Sequence, residues 1–188
     1  MITVYIKKIE NIPEAEKQNI INSLSTSALD RLNKKRNEKL FLASLCALSL
    51  LTEEQRADLD YMESGIPFLA NLNQSISISH SNTFSVIAIS DSKEEKVGID
   101  VEDMSDIVST TRFLSSNEKI ALENGSPYIE IWTKKEALFK FLKNDFLQFI
   151  HLDSAAPDIY DAKFTTVQIE NSILTICTQN NVKIETIQ

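Results

Sequence analysis

Val97-Gly98-Ile99-Asp100-Val101-Glu102 is the stretch on which the fold turns. It reads as a strand, and on a strand residues i and i+2 point the same way. Asp100 and Glu102 therefore project to one face, about 6.6 Å apart at roughly 3.3 Å per residue. Ile99 and Val101 turn into the core. Two carboxylates this close repel each other unless a positive charge sits between them. Mg2+ meets that need, because it takes one or two carboxylates together with phosphate oxygens and water. Taken alone, the stretch reads first as a strand end with two solvated acids and second as part of a hard-cation site.

Working towards the N-terminus, Asp91 to Glu95 is a polar turn. Thr83 to Ser90 is apolar on both parities, which predicts a central strand buried on both faces. Ser75-Ile76-Ser77-Ile78-Ser79-His80 alternates strictly, with Ile76, Ile78 and His80 on one face. Ser64-Gly65-Ile66-Pro67 signals a turn. A long helix is expected from Ala28 to Leu51; its first half carries Arg31, Lys34, Lys35, Arg36 and Lys39. Pro13 opens a shorter helix to about Leu24, and Ile2 to Ile6 reads as a strand. Towards the C-terminus, helical patterning covers Ser116 to Leu122 and Pro127 to Leu142. Three strands are then expected, Lys163 to Glu170, Ile173 to Thr178 and Val182 to Ile187, with turns at Asn171-Ser172 and Asn180-Asn181. The pattern is α+β, and it allows two similar halves with a seam near Asp100.

Composition excludes several functions. The 188 residues hold three glycines, all far apart, so neither a phosphate loop nor a dinucleotide-binding glycine loop can be built. Two cysteines and two histidines are too few for a zinc finger or a haem-attachment motif. Any metal should be a hard cation held by carboxylates. A net charge of −8 argues against nucleic acid and against anionic membrane surfaces as partners. The N-terminus lacks a signal-peptide layout, and the apolar run Leu40 to Leu51 is too short to span a bilayer. Cys46 and Cys177 sit in apolar surroundings, which predicts reduced core thiols in a cytoplasmic protein.

Two further stretches carry chemistry. In Trp132-Thr133-Lys134-Lys135-Glu136-Ala137-Leu138-Phe139-Lys140, positions 132, 136 and 140 follow one helix face. Glu136 suits a third metal ligand or a general base, and Lys135 and Lys140 suit phosphates as point charges. The bland alternative is an exposed helix with a weak Glu136–Lys140 pair. In Ser79-His80-Ser81, a histidine at a strand end is flanked by hydroxyls, a set able to bind phosphate. A satisfied core histidine is the alternative. A Ser–His nucleophile pair is disfavoured because adjacent strand residues face opposite ways.

In this order and spacing the stretches resemble the 4′-phosphopantetheinyl transferase superfamily, specifically its monomeric Sfp type. That family pairs a (V/I)G(I/V)D(I/V)E strand with a W-(S/T)-x-K-E-(A/S)-x-x-K helix. Both match here at every defined position. Phe113-Leu114-Ser115-Ser116-Asn117-Glu118 resembles the family's lead-in to that helix. The resemblance implies two similar α+β lobes in one chain, about 1–98 and 99–188, with the site in the cleft between them. It implies transfer of 4′-phosphopantetheine from coenzyme A to a serine of an apo acyl or peptidyl carrier protein, releasing 3′,5′-ADP. Asp100, Glu102 and Glu136 would ligate Mg2+, and Glu136 would deprotonate the serine. Lys135 and Lys140 would neutralise the pyrophosphate, while Ser79 and His80 would hold phosphates of coenzyme A. Catalysis would rest on Glu136, Lys140 and Asp100.

One departure stands out. Where family members often carry G-K-P before the S-H-S strand, this chain has Gly65-Ile66-Pro67. The basic cluster from Arg31 to Lys39, Arg36 and Lys39 above all, is the candidate for the 3′-phosphate; a solvated helix face is its alternative. Lys134, Lys143 and apolar residues from Phe139 to Phe146 are candidates for docking the carrier. A monomer is expected, with neither nucleic acid nor membrane as partner. The alternatives are a catalytically silent member of the fold that binds coenzyme A or a carrier, and a plain interaction domain.

Overall fold

Burial along the first strand shows how the core is laid down. In β1 (Ile2–Lys8), Ile2, Val4 and Ile6 are buried while Thr3, Tyr5 and Lys7 are only half so. The computed structural model describes residues 1–35, 37–105, 110–143 and 146–179. After β1 come four short helices: α1 (Glu14–Ser23), α2 (Thr26–Asn33), α3 (Glu38–Ser49) and α4 (Glu53–Asp58). The single helix expected from Ala28 to Leu51 is therefore two. Asn37 is extended, and its side chain caps the start of α3 by accepting from the Lys39 amide at 2.8 Å. An N-cap needs non-helical backbone, which ends the preceding helix. The Thr52–Gln55 capping box starts α4, which the sequence reading did not anticipate.

The hairpin of β2 (Leu59–Tyr61) and β3 (Pro67–Leu69) turns through Gly65, whose φ of 86° suits glycine. Next follow β4 (Ser75–His80), β5 (Phe84–Ser90) and β6 (Val97–Asp103), then α5 (Ser116–Glu123) and α6 (Tyr128–Leu142). The chain finishes its described part with β7 (Lys163–Ile169) and β8 (Ser172–Thr178). The strand expected from Val182 to Ile187 and the Asn180-Asn181 turn lie outside the described residues. Two antiparallel three-stranded sheets result, in the orders β1-β5-β4 and β6-β8-β7. In the first, Ile78 faces Ile87; in the second, Ile99 faces Ile176 and Asp100 faces Thr175. β5 is central and buried at every position, as its two apolar parities require.

Three apolar clusters hold these parts. Leu45 and Leu48 of α3 pack with Ile76 and Ile87 of the first sheet. Val4 and Val86 from the first sheet share a core with Ile99, Val101, Leu174 and Ile176 from the second. Ala137, Leu138 and Phe141 of α6 pack with Cys177 of β8. Ile99 and Val101 are thus inside, as the alternation requires. The serine face of β4 is buried too, against β6. There Ser77 Oγ accepts from the Ile99 amide at 3.0 Å, and Ser79 Oγ donates to Asp100 Oδ1 at 2.8 Å. Hydroxyls, rather than a backbone ladder, join these two strands, and the Ile99 amide finds its partner in one of them. Both cysteines are buried free thiols, and burial raises the Cys177 thiol far above its ordinary range. Among the described residues, no helix is long and apolar enough to cross a membrane.

Candidate active site

Gly98 lets α6 lie directly on β6. A Cβ there would sit 2.0 Å from the Ala137 carbonyl oxygen and 2.5 Å from the Phe141 nitrogen. That close approach, with Thr133, Ala137 and Phe141 buried on one stripe of α6, leaves Trp132, Glu136 and Lys140 on the adjoining stripe, half-buried. That stripe borders a pocket of about 310 Å³. Ser79, His80, Asp100, Glu102, Glu136 and Lys140 all line it, so three motifs far apart in the chain meet in one place. Arg31 and Lys35 line its other wall, together with Tyr61, Gly65 and Pro67.

Lys140 is the electrostatic hub. Its Nζ donates to Asp100 Oδ1 at 2.7 Å and to Ser79 Oγ at 3.0 Å. Burial opposes its charge, but Asp100 and Glu136 outweigh that and raise its pKa. Glu102 is pushed up to about 7, by burial first and then by the charges of Asp100 and Glu136. Glu136 also rises to about 7, by burial and by Asp100. His80 is held below its usual range by burial and by the charges of Lys35 and Lys140. The imidazole is therefore neutral near pH 7. Lys35 is lowered by burial and by Arg31 beside it. Trp132, whose indole N–H is its one donor, works against that rise in Glu102. Its ring stacks on Tyr128, with centroids 6.1 Å apart, and meets Phe149 edge-on at 5.7 Å.

A divalent cation fits the chemistry of these donors. Asp100 is 3% exposed, and its Oδ2 is buried without a hydrogen-bond partner among the described residues. A buried carboxylate oxygen left bare is costly unless a cation meets it. Three carboxylates line the pocket, and Asp100 is paired with Lys140. An all-oxygen set of this kind suits a hard ion. Among the described residues, no three His, Cys, Asp or Glu side chains form a ready-made cage. Mg2+ seldom uses one; it keeps several waters and takes oxygens from the substrate.

The structure corrects one expected site residue. Lys135 does not reach the pocket. It is fully buried on another side of α6, where its Nζ donates to Glu118 Oε2 at 2.9 Å and to the Leu152 carbonyl. One residue along a helix turns the side chain by about 100°, so Lys135 and Glu136 cannot share a face. Of the basic cluster, Arg31 and Lys35 line the pocket, whereas Lys39 does not and is exposed. Arg36 lies outside the described residues. Arg31 lies over the Gly65 turn, its guanidinium stacked 4.5 Å from the Tyr61 ring centre.

Residues 96–185 match the 4′-phosphopantetheinyl transferase superfamily. The match contains Asp100, Glu102, Glu136 and Lys140, and it stops short of Ser79, His80 and the basic wall of the pocket. The mixed α and β composition of the chain agrees with that superfamily's fold. No curated protein gives a significant match to the chain. The match points to phosphopantetheine transfer in general.

Proposed function

We propose that this protein transfers the 4′-phosphopantetheine arm of coenzyme A to a serine hydroxyl of an apo acyl or peptidyl carrier protein, with release of 3′,5′-ADP. The observation that carries the proposal is the meeting, in one pocket inside and beside the matched region, of Asp100, Glu102, Glu136 and Lys140 with Ser79 and His80. Asp100, Glu102 and Glu136 would hold Mg2+, which when bound stabilises negative charge on the pyrophosphate as a Lewis acid. Glu136, facing the pocket, takes the proton of the incoming serine hydroxyl. The serine oxygen then bonds to the β-phosphorus, and the bond from that phosphorus to the bridging oxygen breaks. The bridging oxygen leaves on 3′,5′-ADP. Lys140, already shared between Ser79 and Asp100, neutralises charge on the leaving side. Neutral His80 and the Ser79 hydroxyl orient phosphate oxygens by hydrogen bonds. Arg31 and Lys35 are the cations placed for a further phosphate of the donor.

A carrier must reach this pocket from outside. Lys143, at the end of α6, is lowered by burial and by its neighbours Lys96 and Lys93, a local basic patch on an acidic chain. It is the candidate contact for an acidic carrier; Lys134 is engaged with Glu130 at 3.5 Å. Of the apolar docking candidates, the side chain of Phe146 lies outside the described residues. The test is intact-mass spectrometry of an apo acyl carrier protein incubated with coenzyme A, Mg2+ and this protein. A gain of one phosphopantetheine with wild type and none with Glu136→Ala is the expected result. Coenzyme A binding without any gain on several carriers would instead favour a silent binder.

A further inference from the structure

The Lys135–Glu118 ion pair sits on the far side of α6 from the pocket, and both side chains are 0% exposed. No ligand in the pocket can touch it. Its construction is closed. Glu118 Oε1 accepts from the Ser154 amide and from Ser154 Oγ, each at 2.8 Å. Its Oε2 accepts from the Ser115 amide at 2.7 Å and from Lys135 at 2.9 Å. Two segments flanking α6 in sequence, the start of α5 and the 152–154 loop, are thereby tied to one lysine of that helix. A well-packed apolar pair of the same volume is often as stable as a buried ion pair or more so. Stability alone therefore gives no reason for charge here, whereas geometry does.

On its opposite side α6 rests on β6 and β8 through Ala137 and Phe141 over Gly98, with one buried polar contact, Thr133 Oγ1 to Thr175 Oγ1 at 2.9 Å. Lys135 supplies a second, charged stop from the other side. Because each residue turns by about 100°, fixing Lys135 fixes the aim of Glu136 next to it and of Lys140 beyond. A second route runs through rings. Lys135 Nζ lies 5.6 Å from the Phe149 ring centre, and Phe149 meets Trp132 edge-on, on the pocket stripe of α6.

We propose that Lys135 and Glu118 are positioning residues: their buried ion pair sets the rotation of α6 and so aligns Glu136 with Asp100. The kinetic part of this inference rests on the transfer reading; the spectroscopic part does not. Trp132 is the one tryptophan of the chain, so intrinsic fluorescence reports the pocket side of α6 directly. The variants are Lys135→Met and, because that change strands a buried carboxylate, the double exchange Lys135→Met with Glu118→Gln. At least one should remain folded by circular dichroism. The folded variant should lose about 100-fold in kcat, the scale of a misplacement of about 1 Å, with coenzyme A affinity within about 2-fold of wild type. Its Trp132 emission should shift to the red. Unchanged kcat per folded molecule together with an unchanged emission maximum would overturn the proposal. If wild type transfers nothing to any carrier, the transfer reading fails and the emission maximum alone decides. If neither variant folds, Lys135→Arg, which keeps the charge in a different shape, takes their place with the same two readouts.

Discussion

α6 holds a lysine on a carboxylate on two of its sides, and the two pairs are built differently. At the back, Lys135 and Glu118 are sealed from water, and both Glu118 oxygens are taken up by protein donors. At the pocket, Lys140 reaches solvent and Asp100 keeps one oxygen bare. Glu102 and Glu136 are pushed up towards about 7 by burial and by the charge of Asp100. The first pair has spent its hydrogen-bonding capacity on the fold. The second holds capacity in reserve, the mark of a site that waits for a ligand.

Three substitutions break or sharpen that contrast. The largest effect is expected from Asp100→Ala, which should lower transfer by about 1000-fold, a loss of about 4 kcal/mol in the transition state, while urea stability stays unchanged or rises. Relief of the repulsion on Glu102 and Glu136 accounts for the stability. A loss of stability as large as that of an opened buried pair, about 3 kcal/mol or more, would erase the distinction between the two sides. Next comes Gly98→Ala. A methyl 2.0 Å from the Ala137 carbonyl must push α6 off β6, and overpacking of this kind costs up to about 3 kcal/mol, read as a lower urea midpoint. It should disturb both sides together, since Gly98 underlies the contact on which they share an axis. The smallest effect belongs to Trp132→Phe. It keeps the ring contacts with Tyr128 and Phe149 but removes the indole N–H, which works to lower the pKa of Glu102. Turnover should fall by about 10-fold, or about 1.4 kcal/mol, with little change in the urea midpoint. An unchanged rate would mean that the tryptophan serves the ring cluster and not the carboxylate.

The two motifs on β6 and α6 were legible because their chemistry follows the period of their elements. Asp100 and Glu102 share a strand face, Trp132, Glu136 and Lys140 share a helix stripe, and both stripes border the same pocket. Lys135 was misread because a lysine inside a charged run looks like solvent-facing surface. What buries it is Glu118, seventeen positions earlier, and no periodicity encodes that pairing. The break between α2 and α3 was signalled only by Asn37, a cap placed between apolar runs of the same period. β2 and β3, three residues each, are too short to carry a pattern. The serine face of β4 looked like the wet side of a strand; it is dry because β6 lies against it, a tertiary fact that overrides local alternation. Arg31 and Lys35 were in view as part of a basic cluster, but which of its members enter the pocket depends on where α2 ends.

The order of strands in the second sheet has a consequence for biosynthesis. β6 carries two of the three pocket acids, yet its ladder partner is β8, so Asp100 waits for Thr175. All of α5, α6 and β7 must leave the ribosome before that ladder can close. The first sheet needs nothing beyond β5: β4 and β5 form a hairpin, and β1, already synthesised, pairs with β5 across a comparable separation. A nascent chain can thus own a finished first sheet and the basic wall of the pocket while its acids are still unpaired. The acidic half of the pocket is assembled last.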